Sequence, residues 1–143
     1  MSKRVNVSLT VDLEDNGEKS CTKIQESGLL SESKGSLRLW YSEPLEEGFS
    51  VVTEVTVTVT ADGLGIYRSG FVSSDMILRA GEESVWKYQT PYGVMEFPVS
   101  CSKLCNELAP TGGRLFAEYC VNTEGNSQGI HATMEYLVEE VQE

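Results

Sequence analysis

Positive charge is scarce in this chain: 11 Lys and Arg stand against 22 Asp and Glu, for a formal charge of −11. The acids are spread along the sequence, so the surface repels phosphate backbones and anionic headgroups, and neither nucleic acid nor membrane is expected as a partner. Long apolar runs are also missing. No window approaches the ~18 consecutive apolar residues of a membrane helix. The start, MSKRVNVSLTVDLEDNG, alternates from Val5 onward where a signal peptide would be continuously apolar, so it reads as a first strand and a cytoplasmic location is expected.

Histidine is limited to His131. A hydrolytic nucleophile needs a base within reach, and His131 has the parity opposite to Ile130, Ala132 and Met134, which places it on the solvent side as an ordinary surface residue. The four cysteines, Cys21, Cys101, Cys105 and Cys120, are expected as thiols in a reducing compartment. Cys101 and Cys105 form a CxxxC. On a strand that spacing puts them ~13 Å apart at about 3.3 Å per residue, too far to share a metal. If the Pro110 to Gly113 segment closes a hairpin, Cys101 and Cys120 could fall near one another. GxxxxGKS, GxGxxG, GxSxG and HExxH are all absent, so nucleotide, dinucleotide, acyl-elbow and zinc-protease chemistry has no motif behind it. Acidic pairs such as Glu46-Glu47, Glu82-Glu83 and Glu139-Glu140 read as solvated turns or terminus. No cofactor, metal site or catalytic residue is expected, and the chain reads as non-enzymatic.

What the chain does have is alternation. Val5, Val7, Leu9, Val11 and Leu13 alternate with Asn6, Ser8, Thr10 and Asp12, the period of a strand with one buried face. Val51 to Ala61, VVTEVTVTVTA, repeats the pattern with valines on one side and Glu54, Thr56, Thr58 and Thr60 on the other. Turn pairs separate such runs: Asn16-Gly17, Lys34-Gly35, Asp62-Gly63 and, in YQTPYG, Pro91 before Gly93. Gly28 interrupts the second run and suggests a bend or bulge. Ser100 to Leu108 reads either as strand or as a short helix, since Leu104, Cys105 and Leu108 fit helical spacing before Pro110.

With about eight to ten short strands, tight turns between them and no crossover helix, antiparallel up-and-down pairing follows. Curling until the edges meet removes unpaired backbone groups. The expected fold is all-β: a single domain over residues 1–143 forming one closed barrel, with a two-sheet sandwich as runner-up. At 143 residues the chain can bury roughly two-thirds of its unfolded surface in one core.

The run RSG at Arg68 to Gly70, followed by YQTPYG at Tyr88 to Gly93 and then by a GG-led strand ending in Tyr119, resembles the uncharacterised bacterial YwiB-like family. The resemblance implies a calycin-like, lipocalin-like barrel in a bacterial cytoplasmic protein of no established activity. Its specific part is Arg68 through Gly93.

Arg68 stands apart. It shares the parity of Leu64 and Ile66, which puts a guanidinium on the inner wall, while Glu54, Glu96 and Glu118 all have outward parity. An inward cation needs something to satisfy it. One answer is structural: Gly70 marks the barrel rim, where Arg68 reaches water and lies across a ring such as Trp86. The other is functional. Arg68 then receives the anionic group of a small apolar or amphipathic ligand, with Tyr41, Trp86, Tyr88 and Tyr119 lining the cavity. A filled barrel serving as a protein-interaction module is the alternative, since inward aromatics fill a core as readily as they line a pocket.

Overall fold

The computed structural model describes residues 2–43, 52–70, 72–123 and 126–141, without the side chains of 126–128. Of the sequence features above, Glu46-Glu47 and Val51 lie outside the described residues. Among the described residues ten strands follow one another: β1 (Ser2–Asp15), β2 (Glu18–Ser33), β3 (Ser36–Glu43), β4 (Thr53–Val59), β5 (Leu64–Ser69), β6 (Ser73–Leu78), β7 (Glu83–Thr90), β8 (Gly93–Ala109), β9 (Gly112–Thr123) and β10 (Asn126–Glu140). Each pairs antiparallel with the next, and β10 returns to β1, so the sheet closes into an up-and-down barrel. Among the described residues no helix is long and apolar enough to cross a membrane.

Local chemistry sets these turns. Asn16 and Gly17 have φ of 51° and 84°, Lys34 and Gly35 have 45° and 83°, the paired positive angles that match the twist of a two-residue hairpin. At the YQTPYG corner the Thr90 hydroxyl accepts the Tyr92 N–H at 3.1 Å and donates to the Gly93 carbonyl at 3.1 Å, bracing the turn around Pro91.

The core lies where alternation placed it. Val5, Val7 and Leu9 of β1, Leu39 of β3, Val55, Val57 and Val59 of β4, and Leu64 and Ile66 of β5 are buried. Their alternating partners look outward. Of the two readings of Ser100 to Leu108 the strand holds: the stretch is part of β8, with a register irregularity between Cys101 and Lys103. Two expectations need correction. Gly28 is no bulge: β1 and β2 keep one register from Asp15 opposite Glu18 to Ser2 opposite Ser31. The glycine is needed because a Cβ there would run into the Trp40 carbonyl oxygen. Cys101 and Cys120 do not meet, since Cys101 faces Tyr119 and is buried while Cys120 faces Ser100. A one-residue offset puts the two sulfurs on opposite sides of the sheet.

β8 changes partners along its length. Gly93 to Ser100 pair with β7, and Val99 to Ala109 pair with β9. β2 does likewise: among the described residues β3 pairs with it only from Gly28 onward, and its first half pairs with β1 alone. The β1–β2 and β7–β8 hairpin tips therefore project past the barrel at the end where β3 stops and β4 starts.

Candidate functional site

At that end one inward-facing ladder crosses most of the wall. Gly28 of β2 opposes Tyr41 of β3, which opposes Val55 of β4, then Arg68 of β5, Ser74 of β6, Tyr88 of β7 and Met95 of β8. Directly opposed residues of an antiparallel pair present their side chains on one face, so this register places Arg68 and three polar side chains on the same inner ring. Below it the aliphatic belt begins.

Arg68 sits at the mouth, where its side chain is 28% exposed, and its Nε donates to Glu43 Oε1 at 2.7 Å. The rim reading of Arg68 is thus right in position, but its partner is a carboxylate and not the Trp86 ring. Glu43 went unnoticed because it sits on the last residue of β3, although its parity with Leu39 and Tyr41 marks it as inward. Burial disfavours the Arg68 charge, and the neighbouring Tyr136 and the bonded Glu43 more than offset that, pushing its pKa up. With Tyr136 neutral near pH 7, the Glu43 carboxylate supplies the compensating charge.

Beneath the ion pair lie two tyrosines. Tyr41 and Tyr136 are both 0% exposed, their hydroxyls are 2.8 Å apart, and their rings meet edge-on with centroids at 6.0 Å. Burial raises the pKa of Tyr136 well above the ordinary tyrosine value and raises that of Tyr41 as well; the hydrogen bond shared with Tyr136 and the Arg68 charge hold Tyr41 back in part. Tyr119, half-buried on β9, is likewise raised by burial and opposed by the Arg68 charge. Tyr136 was missing from the sequence-based set. Its signal was available, since it shares parity with Met134 and Val138.

The structure therefore brings Arg68, Tyr41 and Tyr119 together and adds Glu43 and Tyr136. Trp86 and Tyr88 form a second group on β7, their rings edge-to-face at 5.5 Å, with Phe97 of β8 at 6.0 Å from Trp86. Both are half-buried on the inner side of the β7–β8 hairpin, which carries them toward the mouth. Among the described residues no three His, Cys, Asp or Glu side chains are grouped to hold a metal ion. The arrangement offers a fixed cation beside neutral phenols and indole, chemistry suited to holding a polar head and an apolar body.

Residues 6–134 match the model of a family described as a domain of unknown function, DUF1934. The fold is similar to that in a crystal structure of the ywiB protein from Bacillus subtilis, with a TM-score of 0.86 over 99% of this chain and 94% of that one, at 19% sequence identity. Among curated proteins none is similar to this chain.

Proposed function

The chain belongs to that DUF1934 family, and from this premise we propose that it is a non-enzymatic cytoplasmic protein whose calycin-like barrel holds one small amphipathic molecule at its mouth. The anionic group of the ligand meets Arg68, and its apolar part lies against Trp86 and Tyr88. The observation that carries this reading is a guanidinium on the inner wall, paired through Nε to Glu43 and still open to water. A guanidinium has five N–H donors in a rigid fork, and its terminal nitrogens suit a carboxylate taken in bidentate fashion. The buried Tyr41 and Tyr136 pair sets a floor, so the ligand sits shallow. A ligand carboxylate competes with Glu43 for the same cation, which favours anions that bring apolar surface with them.

Native mass spectrometry on freshly purified protein, followed by titration with a fluorescent fatty acid, tests this. One bound molecule per chain is expected, and Arg68→Met should weaken probe binding about ten- to a hundredfold, the worth of a hydrogen bond to a charged group at roughly 1.5–3 kcal/mol. An unliganded spectrum together with no uptake of the probe sinks the reading.

A second reading has its own support. Tyr92 is 98% exposed at the β7–β8 tip, Val94 and Met95 beside it are exposed, and the β8 residues 93–98 pair only with β7 among the described residues. An open edge of this kind accepts an added strand from a protein partner. A stoichiometric partner in a pull-down, with the barrel empty, favours it.

A further inference from the structure

The outer wall carries a different kind of site. A cleft of about 610 Å³ opens on the outside of β2, β1, β10, β9 and β8, beside the β1–β2 hairpin tip. The strand registers lay one row of side chains across it. Lys19 opposes Glu14, Glu14 opposes His131, His131 opposes Cys120, and Cys120 opposes Ser100. All five line the cleft. Directly opposed residues have Cβ atoms about 4.5–5.5 Å apart, so the order is carboxylate, imidazole, thiol, hydroxyl, each beside the next. His131, which by parity alone is a surface residue, is brought beside the thiol by the β9–β10 hairpin and beside the Glu14 carboxylate by the closure of β10 onto β1.

The thiol also has a made place. Cys120 Sγ lies 2.7 Å from where a Cβ on Gly129 would stand, so the sulfur occupies space that only a glycine leaves open. Gly129 has φ of 74°, a conformation that side-chain-bearing residues rarely adopt. These side chains form a line and not a cage, in keeping with the lack of a metal-holding group among the described residues. A line is what nucleophilic chemistry asks for: a nucleophile, a base within reach, and an acid to orient the base.

We propose that this cleft is an acyl-accepting thiol site, with Cys120 as nucleophile, His131 as its base, Glu14 as the group that orients the imidazole, and Ser100 as a hydrogen-bond donor to the developing oxyanion. The acyl donor is an activated ester or thioester. In the step, Cys120 Sγ forms a bond to the carbonyl carbon and the bond from that carbon to the leaving oxygen or sulfur breaks. The thiol proton passes to His131 and from it to the leaving group, so no oxidant or reductant enters. Three acids, Asp12, Glu14 and Glu118, line the cleft against the single Lys19, so neutral or cationic acyl donors are favoured over anionic ones.

The chain contains its own control. Cys21 lies in the same cleft and is exposed, but it sits opposite Asp12, and the hydrogen bond to that carboxylate, burial and the negative charge together raise its pKa. The native protein is treated with p-nitrophenyl acetate, p-nitrophenolate release is followed, and the acetyl group is located by peptide mass mapping. A burst of one equivalent is expected, with the label on Cys120 at least tenfold faster than on Cys21, and slower reaction with the anionic succinyl analogue of the same ester. His131→Gln should slow the burst by about a hundredfold, the lower end of what a positioned base contributes. Cys120→Ala should abolish it. Equal labelling of Cys21 and Cys120, or a His131→Gln protein that reacts at the parent rate, overturns the proposal. The two-cysteine ratio is read in the unaltered protein, so the test stands even where a substituted chain fails to fold.

Discussion

The inner and outer faces of β9 and β10 are built from neighbouring residues, yet they follow opposite rules. Inward, Tyr119, Ala117, Ala132 and Tyr136 meet the core, and the polar atoms there are bonded: Tyr136 to Tyr41, and Arg68 at the mouth to Glu43. Outward, Cys120 and His131 stand in a wet row with Glu14 and Ser100. The difference is one of dielectric. A phenol or guanidinium removed from water requires a fixed partner, so the inner set is spatially constrained. Water reaches the outer row, so its side chains do not depend on one fixed protein partner for the sake of solvation.

Substitutions can break this contrast, and the largest effect belongs to the interior. Tyr136→Ala removes a fully buried aromatic and should cost ~3–5 kcal/mol of stability in urea unfolding, whereas His131→Ala on the opposite face of the same strand should stay within about 0.5 kcal/mol. Comparable losses at the two positions would mean that the outer row is structural.

Next comes the hydroxyl pair. Tyr136→Phe keeps the ring but leaves the Tyr41 hydroxyl without that bond, at ~1–3 kcal/mol. The parent should also lose stability in alkali. Burial holds Tyr41 and Tyr136 protonated in the fold above the ordinary tyrosine value of 10.0, while the unfolded chain ionises there. Stability contributed by these groups is therefore complete below about pH 10 and declines as pH rises toward their folded pKa values. Urea midpoints measured from neutral to alkaline pH should fall less steeply for Tyr136→Phe.

The smallest effect sharpens the comparison at the mouth, where inside meets water. Glu43→Gln should cost about 1 kcal/mol or less, because the pair is partly solvated, and the cost should shrink with added salt. A salt-insensitive loss of several kcal/mol would place Arg68 in the dry interior instead.

Much of this architecture is legible in the chain. The runs through Val5 to Leu13 and Val55 to Val59 fix which residues face in, and Asn16-Gly17 and Lys34-Gly35 fix where the strands turn. Parity alone also located Arg68 on the inner wall. What parity does not encode is the stagger between strands. Glu43 and Arg68 meet because β3, β4 and β5 align as they do, and Glu14, His131 and Cys120 share a row only because β10 returns to β1. The same limit explains Cys101 and Cys120: a hairpin brings their strands together, and the register then sends the sulfurs to opposite faces. Gly28 misled for a further reason, since a glycine excluded by a neighbouring carbonyl looks, in a lone sequence, the same as one that permits a bulge.

The seam between β1 and β10, tied at its end by the Val141 N–H on the Arg4 carbonyl and by Lys3 and Glu140 at 3.8 Å, bears on biosynthesis. The strand that seals the barrel is made after the other nine described here, so a growing chain carries a sheet with two raw borders until β10 has emerged. Such borders invite pairing between neighbouring nascent chains. The surplus of carboxylates, 22 Asp and Glu against 11 Lys and Arg spread along the polypeptide, sets such copies against one another by like charge and so opposes that pairing.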